Sequence, residues 1–156
     1  MNTVRIFFLL LFISSLTLGQ ESLDTIPQLN WIPTYKEALK RAKKEDKPVL
    51  IYFKGSDWCG PCKIIERDLF GTKKFTDLAK SELIMLEVDI PRDMTILTPE
   101  KLRDNLTVKQ KYRVKKFPTL LFVNHRGRKI DVKSGYILTE YYFPFIKSVI
   151  YKYKKS

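Results

Sequence analysis

The chain has 156 residues, a formal net charge of +12, two cysteines, one histidine and 29% charged residues. That length holds one ordinary domain, and 44% hydrophobic with 13% aromatic residues supplies a core, which excludes disorder, a collagen-like fibre and a disulfide-dense mini-protein. The one long apolar stretch lies at the amino terminus, which excludes a multi-spanning transporter.

Arg5 and the terminal amine precede an apolar run over residues 6–18, broken only by Ser14, Ser15 and Thr17, and small Gly19 follows. A charged start, a run too short to cross a bilayer comfortably and a small residue before Gln20 and Glu21 predict a signal peptide over residues 1–19, cleaved after Gly19. The mature chain stays strongly basic. Its cations are scattered, as Lys40, Arg41, Lys43 and Lys44, then Lys73 and Lys74, Lys115 and Lys116, and Lys152, Lys154 and Lys155. No motif that reads nucleic acid accompanies them, so they are taken as solvated surface. Neither a nucleic-acid partner nor stable membrane insertion after cleavage is expected.

Residues 20–33, punctuated by Pro27 and Pro33, read as an irregular lead-in to a domain over 34–156. Thr34 and Glu37 stand at capping-box spacing and predict a helix to about Glu45, which Pro48 prevents from continuing. Residues 49–53 are apolar without alternation, the pattern of a strand buried on both faces beneath two layers of helices. Residues 60–69 and 74–80 are helical in character with Gly71 between them, and 83–88 is a second strand. Strand, helix and strand then form a crossover unit.

Thr98, Pro99 and Glu100 offer an N-cap, a first-turn proline and an acid, which places a helix within 99–112. Residues 119–124 and 129–132 form a predicted antiparallel hairpin about a turn at 125–127. Thr139 opens a terminal helix, for which Pro144 predicts a late start or a kink. The result is an α/β domain with a central mixed sheet flanked by helices on both faces.

Both cysteines fall in Asp57-Trp58-Cys59-Gly60-Pro61-Cys62, where the buried strand gives way to a helix. Unpaired N–H groups and the helix dipole favour negative charge there, so Cys59 is the expected thiolate. Cys62 shares a helix face with Ile65 and Leu69 and is expected to point into the core. Cys59 is thus the exposed attacker and Cys62 the sheltered resolver of a thiol–disulfide exchange. Lys63 adds positive potential to Cys59 while Asp57 opposes it. Structural zinc needs four ligands, and the chain supplies two cysteines and His125; covalent haem needs a histidine where Lys63 stands. An inert disulfide over so small a loop would constrain the unfolded chain little. Neither a metal nor an organic cofactor is called for.

Trp58-Cys59-Gly60-Pro61-Cys62, the preceding run 48–53 and Phe117-Pro118-Thr119 resemble the thioredoxin superfamily, in particular exported members whose active site begins Gly-Ser-Asp-Trp-Cys, here Gly55 to Cys59. By element order the resemblance covers residues 34–153. It implies a thioredoxin-like fold and a cis Pro118 beside the Cys59 sulfur. Trp58, Gly60, Pro61, Phe117 and the Gly135-Tyr136 turn would then wall a shallow substrate groove, with Phe117 exposing backbone for a substrate segment. The family carries a buried aspartate ahead of the active site that assists proton transfer; Tyr52 stands at that position, which puts the relay in doubt, and Glu87 and Asp89 are not given its role.

The reading is an exported thiol-disulfide oxidoreductase, periplasmic in a bacterium and otherwise secreted, that reduces disulfide-containing protein substrates. It needs a separate electron donor and is expected to be a monomer. The contrasting readings are a thioredoxin-fold binding or chaperone module with little redox turnover and a disulfide oxidase or isomerase. His125 is read as an exposed turn residue, and the Asn105-Leu106-Thr107 sequon is given no role.

Overall fold

The computed structural model describes residues 28–155. The predicted signal peptide and most of the lead-in lie outside them. Within them the strands are β1 Trp31–Ile32, β2 Val49–Lys54, β3 Ile84–Asp89, β4 Thr119–Val123 and β5 Lys129–Ser134. The helices are α1 Tyr35–Glu45, α2 Gly60–Ile65, α3 Lys73–Glu82, α4 Pro99–Lys111 and α5 Thr139–Lys154. The strands form one five-stranded sheet in the order β1-β3-β2-β4-β5. β2 runs parallel to β3 and antiparallel to β4, so the sheet is mixed.

The apolar run of β2 is buried on both faces, and its alternate residues separate two cores. Leu50 and Tyr52 join Cys59, Cys62, Ile65, Phe75, Tyr142 and Ile146, beneath α2, α3 and α5. Val49, Ile51 and Phe53 face the opposite way and join Ala38 and Ala42 of α1 and Val108 of α4. A strand covered by helices on both sides needs no polar alternation, which accounts for the unbroken sequence.

Local chemistry sets the boundaries. The Thr34 hydroxyl accepts the Glu37 N–H, and α1 stops where Asp46 turns into the left-handed region at φ 49°. Thr72 and Thr98 cap α3 and α4 in the same way. The 60–69 helical stretch resolves into α2 followed by a π-helical turn, Glu66–Phe70. Its wide spacing is closed by the Gly71 N–H on the Glu66 carbonyl at 2.8 Å. A Cβ at Gly71 would stand 2.8 Å from the Arg67 carbonyl oxygen, so this exit favours glycine.

Three details differ from expectation. Trp31 and Ile32, read as irregular, pair in parallel with Met85 and Leu86; two residues on a sheet edge carry no detectable period. A 3-10 turn, Met94–Ile96, occupies part of the long connection after β3. α5 starts at the predicted Thr139, and the late start suggested by Pro144 does not occur, because Tyr142, Ile146 and Val149 anchor the helix in the core on both sides of the proline.

Candidate active site

β2 ends at Lys54, and the chain crosses Gly55, Ser56, Asp57 and Trp58 to reach α2, whose N-cap is Cys59. The Cys59 N–H donates to the Gly55 carbonyl at 2.9 Å, and the Cys59 carbonyl receives the Cys62 N–H at 3.1 Å. Pro61 sits in the first turn, where its missing N–H costs no helical bond. Cys59 and Cys62 are joined by a disulfide with Cα atoms 5.3 Å apart. The structure thus shows the couple in its disulfide form.

The expectation of an exposed Cys59 beside a sheltered Cys62 needs correction. Their exposures are 2% and 1%, so cover does not distinguish them. Tertiary packing and the disulfide close the helix entrance, which local sequence alone leaves open. What does distinguish them is placement. Cys59 lies at the helix entrance beside exposed Gly60 and Pro61, and Cys62 lies a turn inside it.

Trp58, Phe117, Pro118 and Gly135 converge from three parts of the chain. The Trp58 and Phe117 rings meet edge to face at 5.3 Å. The Phe117–Pro118 peptide bond is cis. The Pro118 carbonyl accepts the Gly135 N–H at 2.8 Å, and Gly135 adopts φ +80°, a conformation open to glycine. The Tyr142 hydroxyl donates to the Gly135 carbonyl and receives the Ile137 N–H, both at 3.2 Å, which holds this turn against α5. Tyr136 is exposed beside it. Nothing lies within 4 Å of a Cβ built on Gly60, so the backbone there is open to solvent rather than a packed wall.

Tyr52 is fully buried beneath the disulfide and packs edge to face on Phe70 at 4.8 Å. Its hydroxyl donates to the Cys62 carbonyl at 3.1 Å and lies 3.4 Å from Glu66 Oε1. Glu66 is the carboxylate that the sequence reading missed. It binds Lys54 Nζ at 2.8 Å, and Lys54 also reaches Glu87 at 3.2 Å. Burial, followed by the charge of Glu66, raises the Tyr52 hydroxyl far above the ordinary tyrosine range, so it acts as a donor and not as an ionising base. Glu66 follows Cys62 at i+4, a helical-neighbour spacing that could have revealed it.

The Asp57 carboxylate is held by backbone donors of the segment after β3. Both of its oxygens accept the Arg92 N–H at 3.0 Å, and Oδ2 also accepts the Asp93 N–H at 2.9 Å. The Asp93 bond leads the causes that lower its pKa. Asn105, the sequon residue, is 1% exposed and donates to the Asp89 carbonyl at 2.8 Å. His125 is half-buried in the β4–β5 turn, away from the disulfide. Among the described residues no group of three or more His, Cys, Asp and Glu could hold a metal ion.

A mixed five-stranded sheet between helices, with a Cys-x-x-Cys disulfide at a helix entrance, defines a thioredoxin-fold domain built around one redox couple. The chain belongs to the thioredoxin-like domain family, whose sequence profile matches residues 35–150. It is 35% identical over 103 residues to the disulfide bond reductase DsbH of Chlamydia pneumoniae, covering 65% of this chain and 60% of that protein. The thioredoxin-related protein DsbJ of the same organism is 29% identical over 123 residues, covering 78% of this chain and 35% of that one. The matched stretches thus span about three fifths and one third of these relatives. A solved DsbH oxidoreductase superposes with a TM-score of 0.73 at 29% identity, covering 88% of this chain and 94% of that one. A putative disulphide-isomerase from Bacteroides thetaiotaomicron superposes at 0.61 with 26% identity, covering 79% and 93%.

Proposed function

We propose that this protein is an exported thiol-disulfide oxidoreductase that reduces disulfides in proteins, with Cys59 as nucleophile and Cys62 as resolving thiol. The observation that carries the proposal is the Cys59–Cys62 disulfide at the entrance of α2, directly after Trp58, whose ring meets that of Phe117. Similarity to a protein named as a disulfide bond reductase supports the reductive direction. The pattern of residues 1–19 supports export, as does the absence of any cysteine beyond the active pair, since a further thiol would invite mispairing in an oxidising compartment. Among the described residues no helix is long and apolar enough to cross a membrane.

The cycle starts from the dithiol. The Cys59 thiolate, favoured by the amide groups at the helix entrance, attacks one sulfur of the substrate disulfide. A mixed disulfide forms, and the other substrate sulfur leaves as a thiolate that takes a proton. Cys62 then loses its proton and attacks Cys59, which forms the Cys59–Cys62 bond and releases the second substrate thiol. Two electrons and two protons have passed to the substrate, and an external dithiol must return them. Tyr52 holds the Cys62 carbonyl throughout, which fixes the resolving residue relative to Cys59. Trp58, Gly60, Pro61, Phe117, Pro118 and Gly135 form the docking surface for the substrate segment.

Reduction of insulin by the purified mature domain with dithiothreitol, followed by turbidity, tests the proposal. Acceleration over dithiothreitol alone that is lost in Cys59→Ser is the expected result; a wild-type rate equal to the reagent alone would reject catalysis and favour a binding module.

A further inference from the structure

Three successive residues ahead of Cys59 are tied to the end of β3 and the loop that follows it. The Ser56 N–H donates to Asp89 Oδ1 at 2.8 Å, Asp57 receives the Arg92 and Asp93 N–H groups, and Trp58 Nε1 donates to the Ile90 carbonyl at 2.9 Å. Arg92 also lies over the Trp58 ring, 5.3 Å from its centroid. Pro91 is buried, whereas Asp57, Arg92 and Asp93 are exposed. The loop therefore grips both faces of one problem: it fixes the edge of the indole through Ile90 and its face through Arg92. A Cβ at Gly55 would run into the indole, so glycine there lets Trp58 lie across the backbone.

We infer that Asp57 is a positioning residue, which latches residues 90–93 onto the active-site segment and so seats Trp58 against Phe117 for docking of a protein substrate. The inference rests on the reductase reading above and goes beyond it by assigning a residue that touches neither cysteine sulfur nor substrate. A carboxylate suits the task because it accepts several N–H groups at once, and charge-assisted bonds are stronger than neutral ones. Its strongest perturbing contact, the Asp93 N–H, favours the ionised form. Ser56 and Trp58 keep their own anchors when Asp57 is removed. The segment would then remain attached through Asp89 at the end of β3 and through Ile90, while Arg92 and Asp93 lose their common acceptor.

A positioning role and a purely structural one separate kinetically. Pre-reduced wild type, Asp57→Ala and Asp57→Asn are compared in single-turnover reduction of insulin and of bis(2-hydroxyethyl) disulfide. Asp57→Ala should raise the half-saturating insulin concentration about tenfold, with the limiting rate and the small-disulfide rate within about twofold of wild type. Asp57→Asn keeps one acceptor oxygen and should fall between, which also covers the case in which the alanine variant does not fold. In a Trp31→Phe background, iodide quenching of Trp58 should increase in the same order. An unchanged half-saturating concentration, an equal loss on both substrates, or unaltered Trp58 quenching would each overturn the assignment. The quenching result decides the latch even where wild type reduces neither substrate, an outcome that would instead reject the proposed function.

Discussion

Replacing Tyr52 by phenylalanine removes one oxygen from the centre of the site and little else. The ring contacts with Phe70 at 4.8 Å and Trp31 at 6.2 Å are retained. The Cys62 carbonyl loses the hydroxyl donor at 3.1 Å but keeps the Glu66 backbone N–H, so no buried acceptor is orphaned. Glu66 loses a long 3.4 Å contact and keeps Lys54 at 2.8 Å. The change therefore removes a single net hydrogen bond, about 1 kcal/mol, with no added desolvation penalty. For a domain of this size that corresponds to a fall in melting temperature of roughly 3 to 5 °C. Thermal unfolding of the oxidised protein, followed by circular dichroism, measures it. Because the hydroxyl stays protonated far above the ordinary tyrosine range, the inflections of the pH–rate profile for resolution should not move. A melting temperature unchanged within error, a fall beyond roughly 10 °C, or a displaced inflection would refute this account of Tyr52. Tyr52→Asp is the contrasting case. It removes a fully buried ring and sets a carboxyl beside Glu66 and Glu87, so it should cost roughly 4 kcal/mol or more, and the new group should remain protonated near neutral pH.

Cys62→Ser should accumulate mixed disulfides through Cys59, because the attacker remains without its resolver, whereas Cys59→Ser should trap almost none; equal trapping on a non-reducing gel would reverse the roles. Gly55→Ala should displace Trp58 from the Ile90 carbonyl and destabilise the domain by about 1 to 3 kcal/mol, while Gly60→Ala, with open space at its Cβ, should change stability by less than about 1 kcal/mol in denaturant titrations. The alkaline limit should depend on Tyr153, whose pKa is pushed up to about 12 by burial and then by its hydrogen bond to Asp46. The folded state holds this proton more tightly than the unfolded chain, so the contribution is complete below an unfolded value of about 10 and is lost as pH rises through the folded one. Tyr153→Phe should flatten the stability decline across that window, and an identical pH dependence in the two proteins would show that another group controls it.

The redox couple and its setting were legible in sequence because they rest on local rules. Two cysteines three positions apart between a continuous apolar strand and a helix already specify a dithiol at a helix entrance, and Thr34 and Thr98 are placed as caps by short-range hydrogen bonding alone. The unbroken residues of β2 likewise imply cover on both faces, since alternation disappears only when neither side meets water. Tertiary structure decided everything that depends on which distant groups meet. It covered Cys59 as fully as Cys62, set the Asp57 carboxylate on the Arg92 and Asp93 amides, and brought Lys54, Glu66 and Glu87 together around Tyr52. It also buried the amide of Asn105, which as a sequence pattern looked like a surface site. A charge in sequence has a sign but no direction; only the packed chain supplies the partner that accepts it.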